Sequence, residues 1–168
     1  MCMNNEGEYG KYILQDIILP PMLAAPEKVK EYYDAGKRRI LWMDSQNMPC
    51  NFQMNSCWFV HASRDIRMAQ EAAGTYSMAL PHVHDADELL GFLGSNPENP
   101  SDLGGEVEFH IEGEKHILTK SSYIFIPAGV RHVPLYTNRV DRPIFHFSLL
   151  LSKQYSLTRD DGLQIKAK

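Results

Sequence analysis

The stretch PHVHDADELLGFLG, residues 81–94, holds two histidines one residue apart and an acid four residues after the second. On a β-strand, residues two apart project from the same face. His82 and His84 can therefore aim their rings at one spot, and Glu88 joins them if the chain turns or twists after His84. Two imidazole nitrogens and a carboxylate oxygen converging on a point suit a divalent transition metal. The bland alternative is a solvated strand end, since HVHD is polar enough to sit in water. Asp85 and Asp87 are rival carboxylates. Their parity opposes that of His84, so a strand aims Asp85 outward, and Asp87 reaches inward only if the turn allows it.

Upstream, Tyr76, Met78 and Leu80 share the parity of the two histidines, so both histidines share a face with apolar, core-seeking residues. Working further outward, residues 12–19 read as an apolar edge strand stopped by Pro20 and Pro21. Pro26 suits the first turn of a helix and Gly36 its end. That helix is expected to be the one substantial helix of the chain. Strands are expected over 39–43 and 52–62, with Phe52, Met54, Trp58 and Val60 on one face. Residues 63–74 read as a loop or a single helical turn. Residues 94–105, GSNPENPSDLGG, are a loop full of breakers. Strands follow over 106–111, 114–119, 122–126, 132–136 and 144–151. The domain expectation is a tail, edge segment and short helix over 1–38, a barrel over 39–151 and a peripheral tail over 152–168. Many short strands separated by turns imply an all-β barrel or sandwich.

Bulk composition narrows the function classes. The chain has 168 residues, enough for one domain with its own core. The net charge is −4, without the basic footprint of a nucleic-acid binder. Lys37, Arg38 and Arg39 are adjacent basic residues, read here as a solvated loop. No apolar run reaches the roughly 18 residues that span a bilayer, and the N-terminus is polar and acidic, unlike a secretory signal. The expectation is a cytoplasmic chain with neither a nucleic-acid nor a membrane partner. Cys2, Cys50 and Cys57 have the wrong number and spacing for a disulfide framework, and are read as ordinary thiols.

A second stretch, YIFIPAGVRHVP, residues 123–134, supplies a partner for the first. Pro127 stops a strand, Gly129 allows a sharp reversal, and His132 opens the next strand. Here the sequence resembles the cupin superfamily. His82, His84 and Glu88 match the H-x-H-x-x-x-E of its first motif, and Pro127, Gly129 and His132 match the P-x-G-x-x-H of its second. Gly74 lies two residues too early and Gly94 one short for the glycines flanking the first motif. Ser121 replaces the leading glycine of the second, and Tyr136 its final asparagine. These departures fall on turn and support positions and spare the ligand positions. The resemblance implies an all-β, cupin-type double-stranded β-helix, or jelly-roll barrel. It also implies one metal held by His82, His84, Glu88 and His132, and commonly a homodimer formed through sheet faces or exchanged N-terminal strands. Imidazole and carboxylate ligands suit Fe, Mn, Ni, Cu or Zn.

Other residues are candidates for a substrate pocket: Met54, Trp58 and Tyr76 by their parity, and Tyr136 by sharing parity with His132. Each has core packing as its plain alternative. His146 lies in PIFHFSLLL, where Ile144, His146, Ser148 and Leu150 form one face and Phe145, Phe147, Leu149 and Leu151 the other. It faces either the barrel interior or an outer surface. His61, His110 and His116 are expected to be exposed. The acids around the site are expected to discourage strongly anionic substrates unless the metal or Arg131 compensates. The functional expectation is a metal-dependent enzyme on a small organic molecule, of dioxygenase, decarboxylase, isomerase or lyase type. The alternative is a non-catalytic small-molecule-binding or sensor module.

Overall fold

The structure, a computed structural model, describes residues 7–73 and 80–166. The described residues include three α-helices, α1 (Pro21–Ala24), α2 (Pro26–Asp34) and α3 (Arg64–Ala72). Strands β1 (Lys37–Met43), β2 (Gln53–Phe59), β4 (Glu88–Gly94), β7 (Ser122–Ile126) and β9 (Ile144–Leu150) build one antiparallel sheet in the order β1-β2-β9-β4-β7. Strands β3 (His82–Val83), β5 (Asp102–Ile111), β6 (Glu114–Lys120), β8 (His132–Val140), β10 (Ser156–Arg159) and β11 (Gln164–Lys166) build a second, in the order β11-β10-β3-β8-β5-β6. The two sheets close on a core of Phe59, Phe92, Phe109, Leu103, Val107 and Ile144, all fully buried. A smaller cluster of Leu23, Trp42, Leu150, Tyr155 and Leu157 joins α1 to the strands. The expected all-β jelly-roll architecture is therefore what the chain adopts. No helix among the described residues is long and apolar enough to cross a membrane.

Four expectations are corrected. Residues 12–19 form no strand: Gly10–Tyr12 is a 3-10 turn and the following segment is irregular, leaving Ile13, Ile17 and Ile18 exposed. Helix α2 has an equal in α3, nine residues long, where a loop or a single turn was expected. Arg, Met, Ala, Gln and Glu are strong helix formers, and α3 turns apolar residues outward, exposing Ile66 and Met68 while it buries Arg67. The basic triplet is not a solvated loop; it opens β1, and Lys37 is buried. The C-terminal residues are not peripheral either. β10 pairs with the two-residue β3, placing Thr158 opposite Val83 and Arg159 opposite His82. Without that hairpin, one edge of β3 would be left with unpaired backbone groups.

Gly94 ends β4 where β5 begins. A Cβ built there would lie 1.9 Å from the Asp102 carbonyl oxygen, a backbone atom that cannot rotate away. The glycine therefore sets how closely the two sheets approach at this corner. Gly94→Ala is expected to cost about 2–3 kcal/mol, at the upper end of overpacking. Urea denaturation of the variant measures this, and an unchanged midpoint would show that the corner yields.

Candidate metal centre

The two sequence motifs meet at one end of the barrel. β3 pairs with β8 so that His82 stands opposite His132. His84 follows β3, and its carbonyl accepts from Gly129 N at 2.9 Å. Gly129, with φ +81°, makes the reversal between β7 and β8 that delivers His132. Val130 N closes that turn onto the Pro127 carbonyl at 3.1 Å. Glu88 opens β4 on the inward face that it shares with Leu90 and Phe92. All four side chains are buried; Glu88 is 4% exposed.

Ring nitrogens of His82, His84 and His132 all lie within 4.8 Å of one another. The other nitrogen of each ring is tied to backbone. His82 Nδ1 donates to Leu80 O at 2.8 Å, His132 Nδ1 to Val130 O at 3.0 Å, and His84 Nδ1 to Ser156 O. A proton held on Nδ1 leaves the Nε2 lone pair free, the tautomer a metal requires. Nε2 of His84 and of His132 is buried with no hydrogen-bond partner among the described residues. Glu88 Oε2 lies 3.1 Å from His132 Nε2 and 3.6 Å from His84 Nε2. Lone pairs on nitrogen and carboxylate oxygen repel at that separation unless a cation or a proton lies between them. Burial, followed by the neighbouring His132 and His84, lowers the His82 pKa to about 3. Burial also lowers that of His84, against the pull of Glu88. Neutral imidazoles beside a carboxylate fit a divalent metal, so the cluster is able to bind one. The tight group is the three histidines, with Glu88 closing on two of them.

The rival acids are engaged elsewhere. Asp87 accepts from Ala128 N at 2.8 Å, tying the first motif to the turn of the second. Asp85 is exposed and accepts from the Ser156 hydroxyl at 3.2 Å. Arg131 turns away to pair with Asp160, its Nε 2.9 Å from the carboxylate.

A cavity of about 80 Å³ opens beside the cluster, lined by His82, Glu88 and His132 on that side. His146 also lines it, so the inward reading of its face holds: Ile144, His146, Ser148 and Leu150 are buried. Its Nδ1 donates to Gly91 O at 2.9 Å, and its ring stacks on Phe92 and Phe59. Burial, then the charge of Lys37, lowers its pKa to about 3.

Met54 and Trp58 do not line the cavity. On β2 the inward residues are Gln53, Asn55, Cys57 and Phe59, and Trp58 packs against Phe145 on the outside, 5.4 Å between ring centroids. The outer face of this sheet is itself aromatic, with Phe145, Phe147 and Tyr123 in contact, so apolarity did not distinguish inside from outside. Tyr136 also lies off the cavity. Two residues of β8, Val133 and Pro134, stand where β5 has only His110, and this bulge reverses the parity after His132. Leu135 thereby turns inward, while the Tyr136 hydroxyl donates to Glu71 of α3 at 2.9 Å. Burial and that bond push the Tyr136 pKa up to about 12. Tyr76 lies outside the described residues. His61 is exposed, but His110 and His116 are half-buried, and His110 Nε2 lies 2.8 Å from Glu108.

The cavity residues missed in the sequence include Asn55, Ser148, Tyr32, Lys37 and Arg67. Asn55 Nδ2 donates to Ser148 Oγ at 2.6 Å across β2 and β9. Ser148 was legible from its parity with His146. The pattern gave no signal for Lys37 or Arg67.

No family model and no curated protein matches the chain. Similar solved structures include oxalate oxidase in complex with the substrate analogue glycolate, at 14% identity and TM-score 0.46. That match covers 75% of this chain and 56% of the other, so the chain spans little more than half the length of that relative. A cupin protein from Bacteroides fragilis matches at 12% identity and TM-score 0.42, covering 70% and 79%. The DMSP lyase DddQ from Ruegeria pomeroyi DSS-3 matches at 14% identity and TM-score 0.43, covering 92% and 64%. Two antiparallel sheets close around one core, and H-x-H-x-x-x-E and P-x-G-x-x-H converge at one end of them, which gives this chain the cupin-type fold.

Proposed function

We propose that the protein is a metal-dependent enzyme acting on a small organic molecule, with one divalent transition metal (Fe, Mn, Ni, Cu or Zn) held by His82, His84, His132 and Glu88. The observation that carries this reading is the buried pair of acceptors, His132 Nε2 and Glu88 Oε2, 3.1 Å apart beside a cavity. When bound, the metal supplies Lewis-acid or dioxygen-binding chemistry, compatible with dioxygenase, decarboxylase, isomerase or lyase reactions. The chain's own groups do the rest. Backbone carbonyls of Leu80, Ser156 and Val130 fix the three rings. Leu90, Phe109 and Leu135 keep the cavity wall dry. Asn55, Ser148 and the neutral His146 offer hydrogen bonds to a bound molecule.

A panel of small substrates with added Fe(II), Mn(II) or Ni(II) tests this. Turnover that Glu88→Gln lowers by roughly 100-fold or more, beyond the 10- to 100-fold cost of changing a group that merely supports a ligand, supports the enzyme. Saturable binding without product transfers the site to a non-catalytic binding or sensor module. We also propose a cytoplasmic homodimer, a state that light scattering on the purified chain reads directly.

A further inference from the structure

Arg39 stands on β1 directly opposite Cys57 of β2, so its side chain leaves the strand on the face that the core uses. It is half-buried there. Its guanidinium carbon lies 3.7 Å from the centroid of the Tyr32 ring and 5.9 Å from that of Trp42. Among the described residues it makes no ion pair and no side-chain hydrogen bond. Stacking satisfies the face of a guanidinium and leaves its N–H donors open. The neighbouring Arg38 is engaged: its Nη1 donates to Tyr33 O at 2.9 Å and to Lys37 O at 3.3 Å, and its guanidinium carbon lies 3.4 Å over the Tyr33 ring.

Both arginines line a groove of about 410 Å³ formed by α2, β1 and the irregular segment that precedes α1. That volume falls in the range of small-molecule sites. One wall is aliphatic, built from Ile17, Leu19 and Val29. Leu19 packs against the Trp42 cluster and anchors the segment, whereas Ile17 is 44% and Val29 46% exposed. No acid is among the described lining residues. Of the acids of α2, Glu31 pairs with Lys28 at 3.0 Å and Asp34 pairs with Lys30. The groove is separate from the metal cavity. None of its described lining residues is a histidine, and only Tyr32 and Lys37 line both.

We propose that this groove binds an aliphatic monocarboxylate of medium chain length, with its carboxylate held by Arg39 and its chain laid against Ile17, Leu19 and Val29. Charge complementarity selects the head. A guanidinium with open donors pairs with a planar carboxylate through two parallel hydrogen bonds. Arg38 uses donors on backbone carbonyls, so one guanidinium carries the head, which suits a monoanion better than a dianion. The wall selects the body. Arginines already stack on the Tyr32 and Tyr33 rings, so the surface left for a ligand is aliphatic and fits a methylene chain. Exposed apolar side chains beside an open cation are what an amphiphilic anion covers at once.

Octanoate and octanamide share a shape and differ in charge, and acetate keeps the head without the chain, so these are the probes. Their binding to the full chain is measured by calorimetry and ligand-observed NMR, below the concentration at which octanoate forms micelles. Octanoate is expected to bind at least about tenfold more tightly than octanamide, the effect of one charge-assisted hydrogen-bonded pair. Acetate should bind at least about tenfold more weakly than octanoate, because it buries no chain. Arg39→Met should bring octanoate down to the level of octanamide. Val29→Glu, a change on the exposed side of α2, should weaken octanoate at least about tenfold by placing a like charge in the groove. Chelated wild type and His132→Ala should keep the wild-type affinity for octanoate. Equal binding of octanoate and octanamide, or undiminished binding to either groove variant, overturns the assignment. Loss of binding in His132→Ala also overturns it, since the carboxylate then sits at the histidine cluster. A dimer that Val29→Glu dissociates, in a chain that binds no octanoate, shows the groove to be covered by a second copy instead. If Arg39→Met does not fold, Val29→Glu and the octanoate–octanamide comparison decide.

Discussion

His132→Ala should bind a divalent transition metal at least roughly 100-fold more weakly than the wild type. Changing groups that merely support a ligand costs 10- to 100-fold in affinity, and this substitution removes a ligand outright. It deletes the nitrogen 3.1 Å from Glu88 Oε2, leaving that carboxylate opposed only by His84 Nε2 at 3.6 Å. It also strands the Val130 carbonyl that the ring satisfied. Stability follows by mass action. At a metal concentration 1,000 times the dissociation constant, binding stabilises the folded state by about 4.1 kcal/mol; at 10 times, by about 1.4 kcal/mol. A 100-fold loss of affinity therefore erases about two thirds of the metal-induced stabilisation. Chelator competition gives the affinity, and melting with and without metal gives the stabilisation. His110→Ala is the control, since that ring is engaged by Glu108 and is not part of the cluster. Should His132→Ala match wild type in both measurements, the cluster is not a metal site.

That cluster could be read from sequence because its geometry is local. Two residues of separation at the end of β3 bring His82 and His84 into one cluster, and a Pro–Gly reversal brings His132 to a strand start. The barrel was legible for a related reason: turn residues punctuate its strands, and turn chemistry acts over a few residues. What stayed hidden depends on contacts distant in sequence or on a broken rule. Apolar side chains on both faces of β2 and β9 make the parity of Trp58 ambiguous, and only closure of the barrel assigns it outward. Tyr136 follows a bulge that no pattern of alternation encodes. Residues 156–166 are polar, and they join the sheet because β3 needs a partner. Lys37 and Arg67 defeat the hydrophobic pattern directly, as charged groups where apolar ones are the rule. Such violations concentrate at functional sites, and both of these face the cavity.

His146 should make the fold acid-labile well above the range where carboxylates titrate. Its ring is buried on β9, hydrogen-bonded to Gly91 O and stacked on Phe59 and Phe92. Lys37 of β1 and Arg67 of α3 face it, and Cys57 of β2 stands opposite it in the sheet. All three disfavour or fail to support a proton there, and the folded-state pKa falls to about 3, with burial as the largest cause. In the unfolded chain the ring returns to about 6.5. Below that pH the unfolded state takes a proton that the folded state refuses, so stability is fully present above about 6.5 and declines as pH falls toward 3. The slope is about 1.4 kcal/mol per pH unit, and the full span is on the order of 4–5 kcal/mol, a large fraction of a domain's stability. His146→Gln keeps a polar group near Gly91 and has no proton to gain. Between pH 6.5 and pH 5, metal-free wild type should lose about 2 kcal/mol more than this variant in urea denaturation. The effect is read as a difference in slope, so a uniform loss of stability from imperfect packing of glutamine leaves it intact. Parallel pH profiles for the two proteins would mean that the ring is protonated inside the fold, and the cationic surroundings assigned to it would then be wrong.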